Sequence, residues 1–145
     1  MEVEGIEEAI NGYRELAQAT QWRILSQATA AAGRKIANRA KRNAPVGTVS
    51  KMAYDGSMDL AAGYGKTTVK AVRFRRKYDN VALVGIGPNK FAYYLSSFVE
   101  RGHAVRGGGF KPADPWLKPA IAQTEKEAVQ AFERKILLSV NKVLK

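Results

Sequence analysis

Apolar residues recur every three to four positions between residues 4 and 43. They fall at Ile6, Ile10, Tyr13 and Ala17, then at Ile24/Leu25, Ala28, Ala32, Ile36 and Ala40. That spacing predicts amphipathic helix. The small residues of "ATAAAG" (28–33) favour helix and allow close packing. Thr20 is placed to cap a second helix, which predicts a break near residues 18–22. Pro45 ends the pattern, and Asn43 already lies in its shadow.

The period then changes. Residues 46–65, "VGTVSKMAYDGSMDLAAGYG", have no clean repeat and read as a flexible loop with a short turn at "MDLAAG". Residues 66–76 alternate around Val69, Val72 and Phe74 and read as a strand, with Phe74 turned toward the core. "NVALVGIG" (80–87) reads as its antiparallel partner across a "YDN" turn. "PNKFAYYLSSFVERG" (88–102) reads as a short helix with Phe91, Leu95, Phe98 and Val99 on one face. Residues 102–111, "GHAVRGGGFK", read as a second flexible loop. A proline-stiffened stretch, "KPADPWLKPA" (111–120), follows. Asp114 is expected to cap a helix with Pro115 in its first turn, although Pro119 is a second place for it to start. The last pattern runs through Ile121, Val129, Phe132, Ile136, Val140 and Val143. These elements predict an α+β fold: long N-terminal and C-terminal helices packed on a small antiparallel sheet, with one short helix between. One domain over residues 1–145 is expected, with 1–20 as an N-terminal helical segment.

Composition narrows the function classes. Hydrophobic residues make up 46% of the 145, enough for a core. There is no cysteine, so no disulfide or thiolate metal site is expected, in keeping with a reducing cytoplasm. "MEVEGIEE" at the start is acidic, unlike a secretion signal, and no apolar run reaches the roughly 18 residues of a membrane span. The balance is basic: 24 Lys+Arg against 13 Asp+Glu, a formal +11. Residues 1–15 carry five acids and one base, whereas residues 16–54 carry seven bases and no acid. Such an excess suits a polyanionic or acidic partner, or simply a solvated, solubilising surface, and the uneven distribution suits subunits that pack head to tail as well as it suits pairing within the chain.

Candidate chemistry is thin. "GYGKTT" (63–68) has Gly-Lys-Thr, but a phosphate loop needs a glycine where Leu60 stands, and the stretch is expected to run into a strand rather than open a helix. "GIGPNK" (85–90) lacks its third glycine, having Lys90 there. His103 is the only histidine, and with Glu100 it cannot complete a metal site. No catalytic residue, metal or cofactor is expected. The basic segment "GRKIANRAKRNAP" is different. Arg34, Lys35, Arg39, Lys41 and Arg42 sit on a helix whose Ile36, Ala37 and Ala40 face inward, so several charges share a solvent face. Such a stripe can follow phosphates without reading sequence, since no aromatic interleaves it. Arg73, Arg75 and Arg76 form a second basic candidate.

The order of these motifs resembles the gene-product-ten-like morphogenesis family of long-tailed bacteriophages. A helix ends in "AKRNAP", a hairpin ends in "VGIG", "FAYYLSSFVERGH" follows, and "KPADPWLKPAI" precedes the last helix. Phe98, Val99, Glu100 and Gly102 match the family's middle segment, with His103 in place of threonine. Pro112, Ala113, Pro115, Leu117, Pro119 and Ala120 match its last, with Trp116 in place of phenylalanine. The resemblance implies a structural virion protein, assembled in the host cytoplasm, at the neck or tail-completion position. It implies a closed hexameric ring joining tail to head, adjoining head-closure and tail-terminator proteins and enclosing double-stranded DNA. No membrane contact is expected. Phe110, Pro112, Pro115, Trp116, Leu117, Glu100 and His103 are then the candidate assembly residues, with Trp116 alternatively capping the core under the last helix. The competing class is a stand-alone basic protein that binds nucleic acid through phosphates.

Overall fold

A computed structural model describes residues 6–14, 16–46, 51–52, 59–60, 64–74 and 81–145. In chain order the elements are α1 (Ile6–Arg14), α2 (Gln18–Asn43), β1 (Lys51–Met52), β2 (Asp59–Leu60), α3 (Tyr64–Thr67), β3 (Lys70–Arg73), β4 (Val84–Gly87), α4 (Tyr93–Arg101), β5 (His103–Ala104), β6 (Phe110–Lys111) and α5 (Leu117–Val143). The fold is α+β with long helices toward both ends. Its strands form separate two-stranded ribbons. β1 runs antiparallel to β2, with Lys51 opposite Leu60, and β5 runs antiparallel to β6, with His103 opposite Lys111. β3 pairs with β4. The "YDN" turn expected between them lies outside the described residues. No described helix is long and apolar enough to cross a membrane.

The helical break comes earlier than Thr20, which lies inside α2. The Ala17 carbonyl accepts from the amides of both Thr20 and Gln21, so the helix already turns there. Gln21 reaches back instead, its Nε2 donating to the Tyr13 carbonyl at 2.7 Å. It thereby satisfies one of the orphan carbonyls at the end of α1. α2 ends at Asn43, before Pro45, as the sequence predicts.

The chain divides into two compact units. The first takes in residues 1–35, 71–85 and 126–145, the second residues 36–70 and 86–125. In the first, Ile24, Ala28 and Ala30 of α2 and Ala128 and Val140 of α5 are buried. Gly33 explains how the β3–β4 ribbon packs on α2. A Cβ there would stand 3.0 Å from both Val84 methyls and 3.3 Å from the Ala71 Cβ. Glycine costs about 1 kcal/mol in a helix interior, and the close approach of the ribbon is what it permits. Ala71 therefore faces the helix, which turns Val72 and Phe74 outward. Phe74 is 57% exposed, against the inward orientation its alternation suggested. Its ring lies over Gly85 on the neighbouring strand, 3.0 Å from where a Cβ would be.

In the second unit, Ala37, Ala40 and Ala44 of α2 are buried, as are Trp116, Ala120 and Thr124 at the start of α5. Gln123 Oε1 accepts from Arg39 Nε at 2.7 Å and from Asn43 Nδ2 at 3.2 Å, joining the two helices. Ala92 is buried, with Phe91 and Leu95 packed against it. The Asn89 carboxamide oxygen accepts from the amides of Phe91 and Ala92, which turns the chain from β4 toward α4. Two expected faces shift. Phe98 is exposed rather than packed with Leu95. Of the apolar positions expected on α5, Val140 is buried and Phe132 and Ile136 are half-buried, whereas Ile121, Val129 and Val143 are exposed; Ala120, Thr124 and Ala128 continue, at four-residue spacing, the buried row begun by Trp116. Near the start of α5, the buried row beyond Trp116 consists of small residues, and the larger Ile121 and Val129 lie outside it.

Candidate assembly site

The corner between α4 and α5 gathers most of the motif residues. α4 ends at Gly102, with φ 75° and ψ 164°. That region is essentially reserved for glycine. A Cβ would also stand 2.8 Å from the Lys111 carbonyl and 2.9 Å from the Ala113 nitrogen. The chain then makes the β5–β6 ribbon in place of the expected loop. Gly107, Gly108 and Gly109 take φ of 98°, 104° and 96°, and the Val105 amide donates to the Gly109 carbonyl. Three consecutive left-handed residues need three glycines. Asp114 closes the corner with its backbone, its amide donating to the Val99 carbonyl at 2.8 Å.

Glu100, not Asp114, caps the last helix. One carboxylate oxygen accepts from the amides of Trp116 at 2.7 Å and Leu117 at 3.0 Å, and the other from Lys118 at 3.1 Å. A helix start leaves its first four amides without partners. Here three point at one carboxylate, and the fourth position is Pro119, which has no amide hydrogen. The negative charge also meets the positive end of the helix dipole. Partial burial raises the Glu100 pKa, but the three backbone bonds and the Lys118 charge outweigh it, so the net shift is downward from 4.5.

A testable pH dependence follows. A depressed carboxyl pKa stabilises the fold above the unfolded value, and that contribution is lost as pH falls through the folded one. Glu100→Ala is expected to cost about 1–2 kcal/mol near neutral pH, the usual range for a lost cap. The gap in melting temperature between Glu100→Ala and the parent should close below about pH 4.5. A gap that persists undiminished into that acid range would mean the carboxylate is not the cap.

The other candidates separate by exposure. Trp116 is buried, only 4% exposed, within its own chain, so it serves the core under the last helix rather than standing free as an anchor. Leu117 is half-buried; Pro112 and Pro115 are exposed. Phe110 is 67% exposed beside exposed Val105 on the same ribbon. His103 is half-buried, its ring 5.2 Å from that of Phe98 and its Nδ1 3.4 Å from the Phe98 carbonyl. Arg34, Lys35, Lys41, Arg42 and Arg73 are exposed, whereas Arg39 is half-buried against Gln123. Arg75 and Arg76 lie outside the described residues. Gln123 and Gly33 carry structure that no sequence motif marks, and Asn43, at the end of α2, gains a bonding role that its place before Pro45 does not reveal. "GYGKTT" does hold a short helix, α3, contrary to the direct strand expected. At four residues it gives no dipole-backed phosphate site. Among the described residues no group of three or more His, Cys, Asp or Glu is placed to hold a metal ion. The corner presents exposed apolar side chains at Phe110 and Val105.

A family profile described as "Bacteriophage HK97-gp10, putative tail-component" matches residues 7–102, about two thirds of the chain. The chain belongs to this HK97-gp10-like family. It is thus a virion-associated phage tail component of a structural family. The matched stretch of this HK97-gp10-like protein includes Glu100 and Gly102 and ends before the proline-rich segment they hold. No curated protein and no solved structure matches the chain significantly.

Proposed function

We propose that this HK97-gp10-like chain is a non-enzymatic subunit of a hexameric ring at the head–tail junction, completing the tail and seating it against head-closure and tail-terminator proteins. The observation that carries the reading is Phe110, a large aromatic side chain 67% exposed on a ribbon whose base is fixed by Gly102. Tyr93, Ile121, Val129 and Leu138 are exposed too, while much of the buried core is alanine. Large apolar side chains left outside a small-residue core suit a subunit completed by its neighbours. A ring needs two different patches that meet, and a rigidly based aromatic loses little entropy on docking.

Replacing Phe110 by serine tests this. The isolated variant is expected to melt within about 0.5 kcal/mol of the parent, as exposed substitutions do. Loss of an interface anchor worth about 2 kcal/mol weakens each contact more than tenfold. In a complementation assay, completed particles should fall by at least that factor. A folded Phe110→Ser protein that completes particles at the parental number would refute a ring contact through this ribbon.

A further inference from the structure

We infer that the exposed face of α2 between Arg34 and Arg42 is a contact surface for the phosphates of double-stranded DNA. At 3.6 residues per turn, Arg34, Lys35, Asn38, Lys41 and Arg42 fall within an arc of about 120° and a rise of about 12 Å. All five are exposed. The opposite side of the same helix carries buried Gly33, Ala37, Ala40 and Ala44, so the arc is set by packing. Its cations form two rows, Arg34 with Lys41 and Lys35 with Arg42, each about 10 Å long, and neutral Asn38 lies between them.

Three features favour DNA as the occupant. The helix contributes no competing acid, since residues 16–54 contain none. Among the described residues, none of the four cations is held by a carboxylate. Helix stabilisation does not account for the pattern: Lys41 and Arg42 sit in the last turn, where cations favour the carbonyl end, but Arg34 and Lys35 lie two turns earlier. A duplex presents a continuous run of negative charge, about one per 1.7 Å, which a two-row cationic helix face complements. The arc carries no aromatic side chain, so stacking on bases plays no part and the contact is independent of sequence.

The inference stands apart from the ring reading, since a chain that completes particles but does not bind duplex refutes this one alone. The test uses the full chain and two short fluorescently labelled duplexes of unrelated sequence. Four phosphate contacts predict a slope of log affinity against log salt near −3.6, which is about a 150-fold loss from about 50 to about 200 mM salt. The double variant Arg34→Gln/Lys41→Gln should keep its melting temperature and halve the slope, to about a 12-fold loss over the same range. The double variant Arg134→Gln/Lys142→Gln removes two exposed cations from α5 and should leave the slope unchanged. Equal effects of the two variants would assign binding to net charge and overturn the proposal. So would no binding at low salt, a preference between the duplexes, or tighter binding to labelled polyglutamate, which would make the partner an acidic protein.

Discussion

Trp116→Ala is expected to lower the melting temperature by about 15 °C. The side chain is 4% exposed and stands at the head of the buried row that continues with Ala120, Thr124 and Ala128. Truncating a buried tryptophan removes its transfer free energy and leaves a cavity, together about 3–5 kcal/mol. That is a large part of the about 5–15 kcal/mol that holds an ordinary domain folded, and in a chain of this size each kcal/mol shifts the midpoint by roughly 4 °C. The surroundings have little means of closing the gap, because Ala120, one turn along the same row, is small and the Trp116 backbone is held at both ends. Its amide donates to Glu100, and its carbonyl accepts from Asn43 Nδ2 at 3.4 Å. Trp116→Phe keeps much of the volume and should lose less than half as much. Thermal and urea melts check this. An alanine variant melting within a few degrees of the parent would put Trp116 outside the core.

The second large effect is expected at Gly102, through the backbone rather than a cavity. Any side chain there must adopt φ 75°, ψ 164°, at about 1–3 kcal/mol. Its Cβ must also enter a space where the Lys111 carbonyl is 2.8 Å away and the Ala113 nitrogen 2.9 Å. Both neighbours are main-chain atoms, so neither can swing aside as a flexible side chain would. Relief requires α4 and the segment 111–113 to part, which breaks the Asp114–Val99 bond and pulls Glu100 off α5. A loss above about 3 kcal/mol is expected for Gly102→Ala, near the upper end for a single substitution. Gly108→Ala is the control: its φ is 104°, yet a Cβ there meets nothing within 4 Å. It should cost only the backbone strain, about 1–3 kcal/mol. Equal melting temperatures for the two variants would mean the close approach at Gly102 does not matter.

The long helices and the proline that ends α2 were legible because periodicity and φ restriction act locally. What the sequence obscured depended on partners distant in the chain. Local spacing points to Asp114, the nearest acid, as the cap on α5, but the carboxylate that serves is Glu100, sixteen residues before Trp116. Apolar periodicity ranks Ile121 and Val129 above Ala120 and Thr124, because side-chain size alone does not reveal which face of a helix is covered. Phe74 was turned inward by alternation, whereas Ala71 beside Gly33 fixes which side of β3 is covered. Of the candidate site, Glu100, Gly102 and Trp116 were visible as a motif. That the carboxylate, the glycine and the tryptophan serve one joint was not, since the joint exists only once α4 and α5 meet.

The Glu100 clasp also bears on the order in which the chain folds. It ties residues 16 apart, whereas the Arg39–Gln123 bond between α2 and α5 spans 84. Closing the longer loop costs about 1.5 kcal/mol more in chain entropy. The corner from α4 to α5 can therefore organise from nearby segments and present a finished helix start before α2 arrives. Substitutions at Glu100 and Gly102 should then slow refolding, whereas those at Gln123 should mainly hasten unfolding.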